Sequence, residues 1–240
     1  MVIVFAFLAC LIPSALVFLF IRRRFPDKPG YTESCSSSLF HGFFSVLPIT
    51  GAALVLDLAG SVSGLNKAGW VVWEGYKAFV LFALTEELFK FLLFKRVLKK
   101  TQCSCSWYDM TAFMTIVGIG FGLMESLLYS FEMNPIESII RGLTLGHGVY
   151  GFIMGYFYGK ARKTGKRAYY VISFLLPYIL HASYDFALVP ELMEYNDNPA
   201  IIAVSLALLD LVMMILLIVF FARRKKNPKY TEPLEEVAAA

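Results

Sequence analysis

The sequence predicts an all-α integral membrane protein, a bundle of about seven transmembrane helices. Of the 240 residues, 58% are hydrophobic and only 17% are charged, and the mean hydropathy is +0.64. Soluble domains carry about 25% charged residues. The apolar residues lie in blocks that are each long enough to cross ~30 Å of hydrocarbon as a helix. The seven blocks are approximately Val2–Ile21, Leu39–Ala59, Trp70–Phe94, Tyr108–Phe131, Ile136–Tyr158, Ala168–Val189 and Ala200–Ala222.

The basic residues predict how this bundle is oriented. Clusters of Lys and Arg follow the first, third, fifth and seventh blocks, and only Lys67, Lys77, Lys90 and Arg141 lie elsewhere. Seven crossings place all four clusters on the same side. By the positive-inside rule, the N-terminus is then outside and the C-terminus is in the cytoplasm. The net charge of +4 therefore reflects topology, and no nucleic-acid partner is expected.

One polytopic domain in the lipid bilayer, residues 1–227, accounts for the blocks, and a short polar tail over 228–240 is predicted to be disordered. The first block lacks a basic n-region and ends in arginines, so we expect a membrane span and not a cleaved leader. Cys35, Cys103 and Cys105 fall in predicted cytoplasmic loops, where thiols stay reduced. No further Cys or His stands near the last two, and these cysteines receive no role.

Four of the apolar blocks contain ionisable residues at bilayer depth. A titratable side chain in a lipid span costs several kcal/mol by most estimates, so such residues mark functional sites by default. Four helices that share this cost predict one polar site inside the bundle. Its candidate members are Glu86, Glu87, Lys90, Glu125, Arg141, His147, His181 and Asp185.

Residue counting predicts that this site lies in one layer. Glu87, His147 and His181 each lie 13 or 14 residues from a basic residue at the cytoplasmic end of their own segment. At 1.5 Å per residue this places the three side chains near mid-membrane, with Glu125 displaced outward by about 4 Å. A small tilt absorbs that difference.

Helical periodicity predicts which way the side chains face. Glu86 and Glu87 are about 100° apart on a helix, so one can face the site while the other pairs with Lys90 or a neighbouring helix. Glycines at 151, 155 and 159 form a groove that permits close helix packing. Because His147 lies four residues before the first of them, it is expected to point toward a packed neighbour.

Two histidines and several acids in a dry bundle are suited to water activation. Two imidazoles and a carboxylate can hold zinc with one position open for water, and the metal lowers the pKa of that water while another acid accepts its proton. Without a metal, a glutamate can activate water while the histidines stabilise an oxyanion. Both schemes hydrolyse an amide, and the sequence does not choose between them. No organic cofactor is expected.

The motifs in these four blocks resemble those of the PrsW-type membrane proteases, part of the wider group of CAAX-processing and bacteriocin-processing proteases. They are Glu86-Glu87-x-x-Lys90, Gly120-Phe121-x-x-x-Glu125-x-x-x-Tyr129, Arg141-x5-His147 with Gly155-Tyr156, and His181-x-x-x-Asp185. The resemblance covers Trp70 to about Val189, a catalytic core of about residues 70–190. One departure is Ser126, where the family pattern leads us to expect Asn.

This resemblance implies an intramembrane endopeptidase of a bacterial cell membrane, with zinc as the cofactor. The implied substrate is a membrane-anchored protein, and in bacterial members an anti-sigma factor cut in a site-1 type cleavage. The implied catalytic residues are Glu86, Glu87, Glu125, His147, His181 and Asp185. Candidate metal ligands among them are His147, His181 and Glu125, and the supporting residues are Lys90, Arg141, Ser126 and Tyr129. We expect Glu86 to act as the general base and Glu87 to support it.

Two other functions use the same residues. A proton-coupled transporter or channel would use them as a relay and would show flux in liposomes, although the inverted repeats or broken spans expected of one are not evident. A non-catalytic membrane scaffold would keep partner binding after apolar substitution of the polar set. Arg141, near the outer end of its block, is expected to snorkel or to pair with Glu125. Asp210 in the seventh block is interpreted as a helix-packing residue.

Overall fold

A computed structural model describes residues 2–25, 27–101, 104–129, 145–194, 199–224 and 226–234. Within these ranges the chain is helical and forms no strand, apart from one isolated bridge between Ser106 and Pro233. The all-α class predicted from the sequence is therefore confirmed. The prediction for Arg141 lies outside the described residues.

The helices follow one another with short connections. The first three are α1 (Val2–Arg22), α2 (Tyr31–Phe44) and α3 (Val46–Val62). After a 3-10 turn at Leu65–Lys67, α4 (Trp70–Tyr76) runs through a π-helical segment (Lys77–Leu84) into α5 (Thr85–Lys100). The remaining helices are α6 (Trp107–Tyr129), α7 (Gly146–Thr164), α8 (Arg167–Ala187), α9 (Pro190–Glu194), α10 (Pro199–Arg224) and α11 (Pro228–Thr231).

Three helical stretches in the described part of the chain are long and apolar enough to cross a membrane. They are Tyr31–Val62, Trp107–Tyr129 and Val204–Arg223, and Leu8–Arg22 is a shorter apolar helix. The other predicted spans carry the ionisable site residues, which lower their hydropathy, or run over residues outside the described ranges. The count of seven crossings and the orientation of the termini stay predictions.

Helix α6 lies at the centre of the bundle. In its most apolar stretch 67% of the residues are buried, against 22% and 24% in the other two long stretches. It packs against α7 and α2 along most of its length and also contacts α1 and α5. A helix that is buried on all sides forms the core of a bundle, so α6 sets the positions of its neighbours.

Glycines allow the backbones of α6 and α7 to approach closely. A Cβ atom on Gly151 would lie 2.5 Å from the carbonyl oxygen of Met114. A Cβ atom on Gly118 would lie 2.0 Å from the carbonyl oxygen of His147. Small residues at such crossings are typical of helix pairs in membranes. The glycine groove predicted on α7 is thus confirmed, and Gly118 on α6 allows the backbone of His147 to pack directly against α6.

The chain after α10 returns to the bundle. The Tyr230 ring is buried with its centroid 4.8 Å from that of Trp107, and the backbone N–H of Leu234 donates to the carbonyl of Cys105 at 3.0 Å. These residues belong to the tail that the sequence predicts to be disordered from residue 228. The structure differs over 228–234 because Tyr230 and Leu234 pack against the hydrophobic core and anchor an otherwise polar segment.

Tyr230→Ala is expected to release this segment while leaving the bundle folded. The tyrosine ring supplies most of the apolar contact between the tail and Trp107, and an unanchored segment is open to proteases. Limited trypsin digestion, which can cut after Lys226 and Lys229, should cleave the variant several-fold faster than the wild type. Tyr170→Ala, at a tyrosine that is 38% exposed on α8, is the matched control. Equal cleavage rates in wild type and Tyr230→Ala would mean that the ring does not anchor the tail.

Candidate active site

Four helices bring the predicted polar residues into one cluster. Helix α5 supplies Glu86, Glu87 and Lys90, α6 supplies Glu125, α7 supplies His147, and α8 supplies His181 and Asp185. Glu86, Glu87, His147 and His181 each place one metal-ligating atom within 4.8 Å of the others. We call the seven side chains that the four helices supply the Glu/His cluster.

Glu87 and Lys90 form the closed end of the Glu/His cluster. Glu87 Oε1 lies 2.6 Å from Lys90 Nζ and 2.9 Å from His181 Nδ1. Lys90 Nζ also donates to His147 Nδ1 at 3.2 Å and lies 4.4 Å from the centroid of the Phe121 ring. Both side chains are almost completely buried, and a buried ion pair needs such additional partners to offset its desolvation. The pair therefore holds the two histidines in place.

Each histidine is held at one ring nitrogen by a carboxylate. His147 Nε2 lies 2.5 Å from Glu125 Oε2, and His181 Nδ1 lies 2.9 Å from Glu87 Oε1. A carboxylate that accepts from one ring nitrogen fixes the tautomer and orients the ring. For His147 this leaves the lone pair on Nδ1, whereas His181 has a second carboxylate, that of Asp185, 3.3 Å from Nε2. The inner nitrogens, His147 Nδ1 and His181 Nε2, face the middle of the Glu/His cluster.

Glu86 lies between these inner nitrogens, and its Oε2 atom makes no hydrogen bond to a described residue. Its Oε2 atom lies 3.8 Å from His147 Nδ1, 3.7 Å from His181 Nε2 and 3.5 Å from Lys90 Nζ. The two imidazole distances are beyond hydrogen-bonding range. Glu86 Oε2 is buried and has no hydrogen-bond partner among the described residues, and the same holds for Glu87 Oε2. Buried polar atoms are rarely left unpaired in proteins, and a bound water or ion commonly satisfies them.

The exposure of the acidic side chains increases across the cluster from Glu87 to Asp185. The exposed fraction is 0% for Glu87, 10% for Glu86 and 28% for Asp185. Asp185 Oδ2 lies 3.3 Å from His181 Nε2, so the most exposed acid touches an inner nitrogen. The Glu/His cluster is therefore closed at Glu87 and open beside Asp185.

Two aromatic residues to which the sequence analysis gave no role fix the imidazole planes. The Tyr150 ring stacks on His181 with centroids 5.0 Å apart, and the Phe121 ring meets His147 edge-on at 4.7 Å. Their positions carried a signal, since Tyr150 lies three residues after His147 and Phe121 lies four before Glu125. Residues three or four apart share a helix face, so both could have been placed beside the site.

The π-helical segment ends immediately before Glu86 and Glu87. Thr85 stands at the return to α-helix, and its hydroxyl donates to the carbonyl of Leu81 at 2.5 Å. π-helical turns are rare and frequently occur at functional sites, because they reset the direction of the side chains that follow. The segment consists of ordinary helix-compatible residues, so the sequence carried no signal for it.

The other predicted residues lie around the Glu/His cluster. Ser126 is buried on α6, and Tyr129 is the last residue of α6 and is 43% exposed. Their supporting roles stay predictions. Asp210 on α10 is buried and lies against the start of α7, since its Oδ2 atom is 3.6 Å from the Cβ position of Gly146. Helix α10 therefore borders the site, outside the core of residues 70–190 expected from the sequence.

By fold and site, the chain is a helical bundle with membrane-length apolar helices around a buried cluster of two histidines and two glutamates that could hold a metal ion. The family described as PrsW family intramembrane metalloprotease matches residues 36–222, and the chain belongs to this family. The match extends beyond the region of Trp70–Val189 on which the resemblance was based, to include most of α2, α3 and α10.

Bacterial proteins named Protease PrsW are similar to this chain. One from Halalkalibacterium halodurans is 35% identical over 150 residues, which cover 60% of this chain and 69% of that protein. One from Oceanobacillus iheyensis is 32% identical over 116 residues, 47% of this chain and 54% of its own length. One from Bacillus subtilis is 25% identical over 180 residues, 73% of this chain and 78% of its length. The chain thus spans about half the length of the Oceanobacillus relative. No solved structure matches the chain.

Proposed function

We propose that this protein is an intramembrane endopeptidase that hydrolyses a peptide bond of a membrane-anchored protein at the Glu/His cluster. The observation that carries this proposal is the position of Glu86 Oε2. It is a buried carboxylate oxygen without a hydrogen-bond partner among the described residues, and it faces the inner nitrogens of both histidines. That is where a general base for water activation has to stand.

Glu86 is the general base in this scheme. Its carboxylate accepts a proton from a water molecule while the water oxygen forms a bond to the carbonyl carbon of the substrate. The same proton then passes from Glu86 to the amide nitrogen as the carbon–nitrogen bond breaks, so the carboxylate is regenerated. A positioned acid or base of this kind contributes typically 10²–10⁴-fold to the rate.

Positive charge beside Glu86 stabilises the developing oxyanion. The Lys90 ammonium group supplies it, with Nζ 3.5 Å from Glu86 Oε2. Preorganised groups of this kind act strongly where water is excluded. Glu87 supports the base indirectly, because it holds both Lys90 and His181.

The residues of the cluster fit a divalent metal ion such as zinc, which the family description implies. Nitrogen from two histidines and oxygen from carboxylates is a zinc donor set, and Glu86 Oε2 and Glu87 Oε2 are buried oxygens without a hydrogen-bond partner in the described chain. His147, His181 and Glu87 would hold it, which leaves Glu86 to act as the base. When bound, the metal supplies a Lewis acid that polarises the scissile carbonyl.

Glu125 was expected from the sequence to be a metal ligand, and we propose a different role for it. Its carboxylate contacts the outer nitrogen of His147, on the opposite side of the ring from Glu86. A carboxylate in that place orients a histidine and raises its basicity. Asp185 contacts His181 Nε2 and completes the open side of the Glu/His cluster.

We further propose the cellular setting. Residues 1–227 form one polytopic domain that crosses a bacterial plasma membrane seven times, with the N-terminus outside. The proposed substrate class is a membrane-anchored regulatory protein such as an anti-sigma factor. The bacterial relatives and the alternating basic clusters support this setting.

Histidine substitutions test the proposal directly. His147→Ala and His181→Ala should each lower cleavage of a membrane-tethered reporter in proteoliposomes by roughly 100-fold or more. His41→Ala is the matched control, because His41 lies on α2 and its Nδ1 bonds only to Ser37 among the described residues. A chelator should inhibit the wild type if a metal is required. Full cleavage by both folded variants would exclude the proposal, and pH-driven ion flux without cleavage would favour the transporter.

A further inference from the structure

Lys90 already occupies part of the space that a metal ion would need. Its Nζ atom lies 2.6 Å from Glu87 Oε1, 3.2 Å from His147 Nδ1 and 3.5 Å from Glu86 Oε2. These three atoms belong to three of the four residues that could hold a metal. The lysine side chain is only 1% exposed, so its ammonium group is shielded from solvent at this position.

The contact with His147 is the decisive one. A metal ion must use a deprotonated ring nitrogen, and zinc–nitrogen bonds are about 2.0–2.1 Å long. The inner nitrogen of His147 offers one lone pair, and the Lys90 ammonium group donates a hydrogen bond to it. A metal ion bound to that lone pair would displace this hydrogen bond and bring two cations into contact. One nitrogen cannot serve both.

The charges around the two histidines also indicate that Lys90 and a metal ion serve the same purpose. The carboxylates of Glu86, Glu87, Glu125 and Asp185 surround the two histidines, and the Lys90 ammonium group pairs with the first two of them. Buried charge that is not compensated is costly. Lys90 therefore supplies positive charge to the site that a divalent metal ion would otherwise supply.

We propose that Lys90 and a divalent metal ion compete for His147 Nδ1 and the glutamate oxygens, so that Lys90 sets the metal affinity of the site. This inference rests on the Glu/His cluster of the proposed function and assigns Lys90 a role in metal binding. Lys90 neutralises part of the negative charge of the carboxylates when no metal is bound, and it thereby weakens metal binding. A metal ion binds as the ammonium group moves off His147.

The test is zinc affinity of the full-length protein in detergent, measured by competition with a chromophoric chelator. Lys90→Met removes the charge with little change in volume, and we expect it to bind zinc roughly tenfold more tightly than the wild type, the size of effect that partners of metal ligands have. The metal-free variant should melt at a lower temperature than the wild type, and zinc should raise its Tm more than it raises that of the wild type.

Three further variants sharpen the comparison. If Lys90→Met does not fold without metal, the affinity is measured on Lys90→Gln, which also removes the charge. Lys90→Arg keeps the charge and should bind zinc as weakly as the wild type. Lys95→Met makes the same change at an exposed position of α5 and should leave zinc affinity unaltered. Competition is overturned if neither the Met nor the Gln variant binds zinc more tightly than the wild type, including the case in which none of the proteins binds zinc. Reporter cleavage is measured separately, so a failed endopeptidase assay contradicts the proposed function alone.

Discussion

Replacing Glu86 by glutamine should lower the rate of peptide cleavage by about 100- to 10,000-fold while leaving the protein folded. Glutamine has nearly the same shape but cannot accept the proton of the attacking water. Glu86 Oε2 has no hydrogen-bond partner among the described residues, so little native bonding is lost. The measurement is cleavage of a tethered reporter in proteoliposomes, with a thermal melt of the same sample.

Glu74→Gln is the matched control for this change. Glu74 lies on α4, and its carboxylate pairs with Lys77 at 2.5 Å near one end of the same helical stretch. Ion pairs that are partly exposed contribute little to stability, so this variant should cleave at the rate of the wild type. A Glu86→Gln protein that melts normally and retains cleavage would exclude Glu86 as the base.

Gly118→Ala should damage both stability and activity, although it adds one methyl group outside the Glu/His cluster. That methyl carbon would lie 2.0 Å from the carbonyl oxygen of His147 and 2.7 Å from the carbonyl carbon. Backbone atoms cannot yield locally, so α6 and α7 must move apart and carry His147 away from Glu86. Overpacking typically costs about 1–3 kcal/mol, and a displacement of ~1 Å at a catalytic group can cost 10²-fold in rate.

The control for this variant is Gly51→Ala on α3. No heavy atom lies within 4 Å of the Cβ position there, and alanine is favoured over glycine inside a helix by about 1 kcal/mol. The control should therefore be as stable as the wild type or more stable, and equally active. If folded Gly118→Ala cleaved at the rate of the wild type, the close crossing of α6 and α7 would not be what positions His147.

The meeting of four helices at one polar layer was predictable from the sequence. Counting 1.5 Å per residue from the basic clusters placed Glu87, His147 and His181 at one depth, and in the structure they do meet. The prediction of a common depth succeeds because the helix rise is fixed by the backbone alone. The 100° step between Glu86 and Glu87 led us to expect that one acid would face the site while the other paired with Lys90 or a neighbouring helix, but both carboxylates reach the cluster and both pair with Lys90.

The pairing inside the layer was less accessible to sequence reasoning. Lys90 lies four residues after Glu86, a spacing that favours an ion pair on a helix, yet Glu87 Oε1 is the closer oxygen, at 2.6 Å against 3.5 Å. Which carboxylate lies closer to Lys90 depends on the side-chain rotamers and on where α8 places His181. The π-helical segment before Glu86 likewise depends on packing, since its residues suit an α-helix equally well.

The gradient of exposure from Glu87 to Asp185 has a consequence for what this protein can cut. The proposed base, Glu86, is recessed and is reached from the side of α8, so in the proposed reaction the scissile peptide has to project inward to meet it. An intact α-helix, 10–12 Å across, keeps its peptide groups behind its side chains and bonded within the helix. A substrate helix must therefore unwind locally before its carbonyl reaches Glu86. Glycine or proline beside the cleaved bond makes that unwinding easier, so susceptible sequences should be recognisable by weak helices more than by particular side chains.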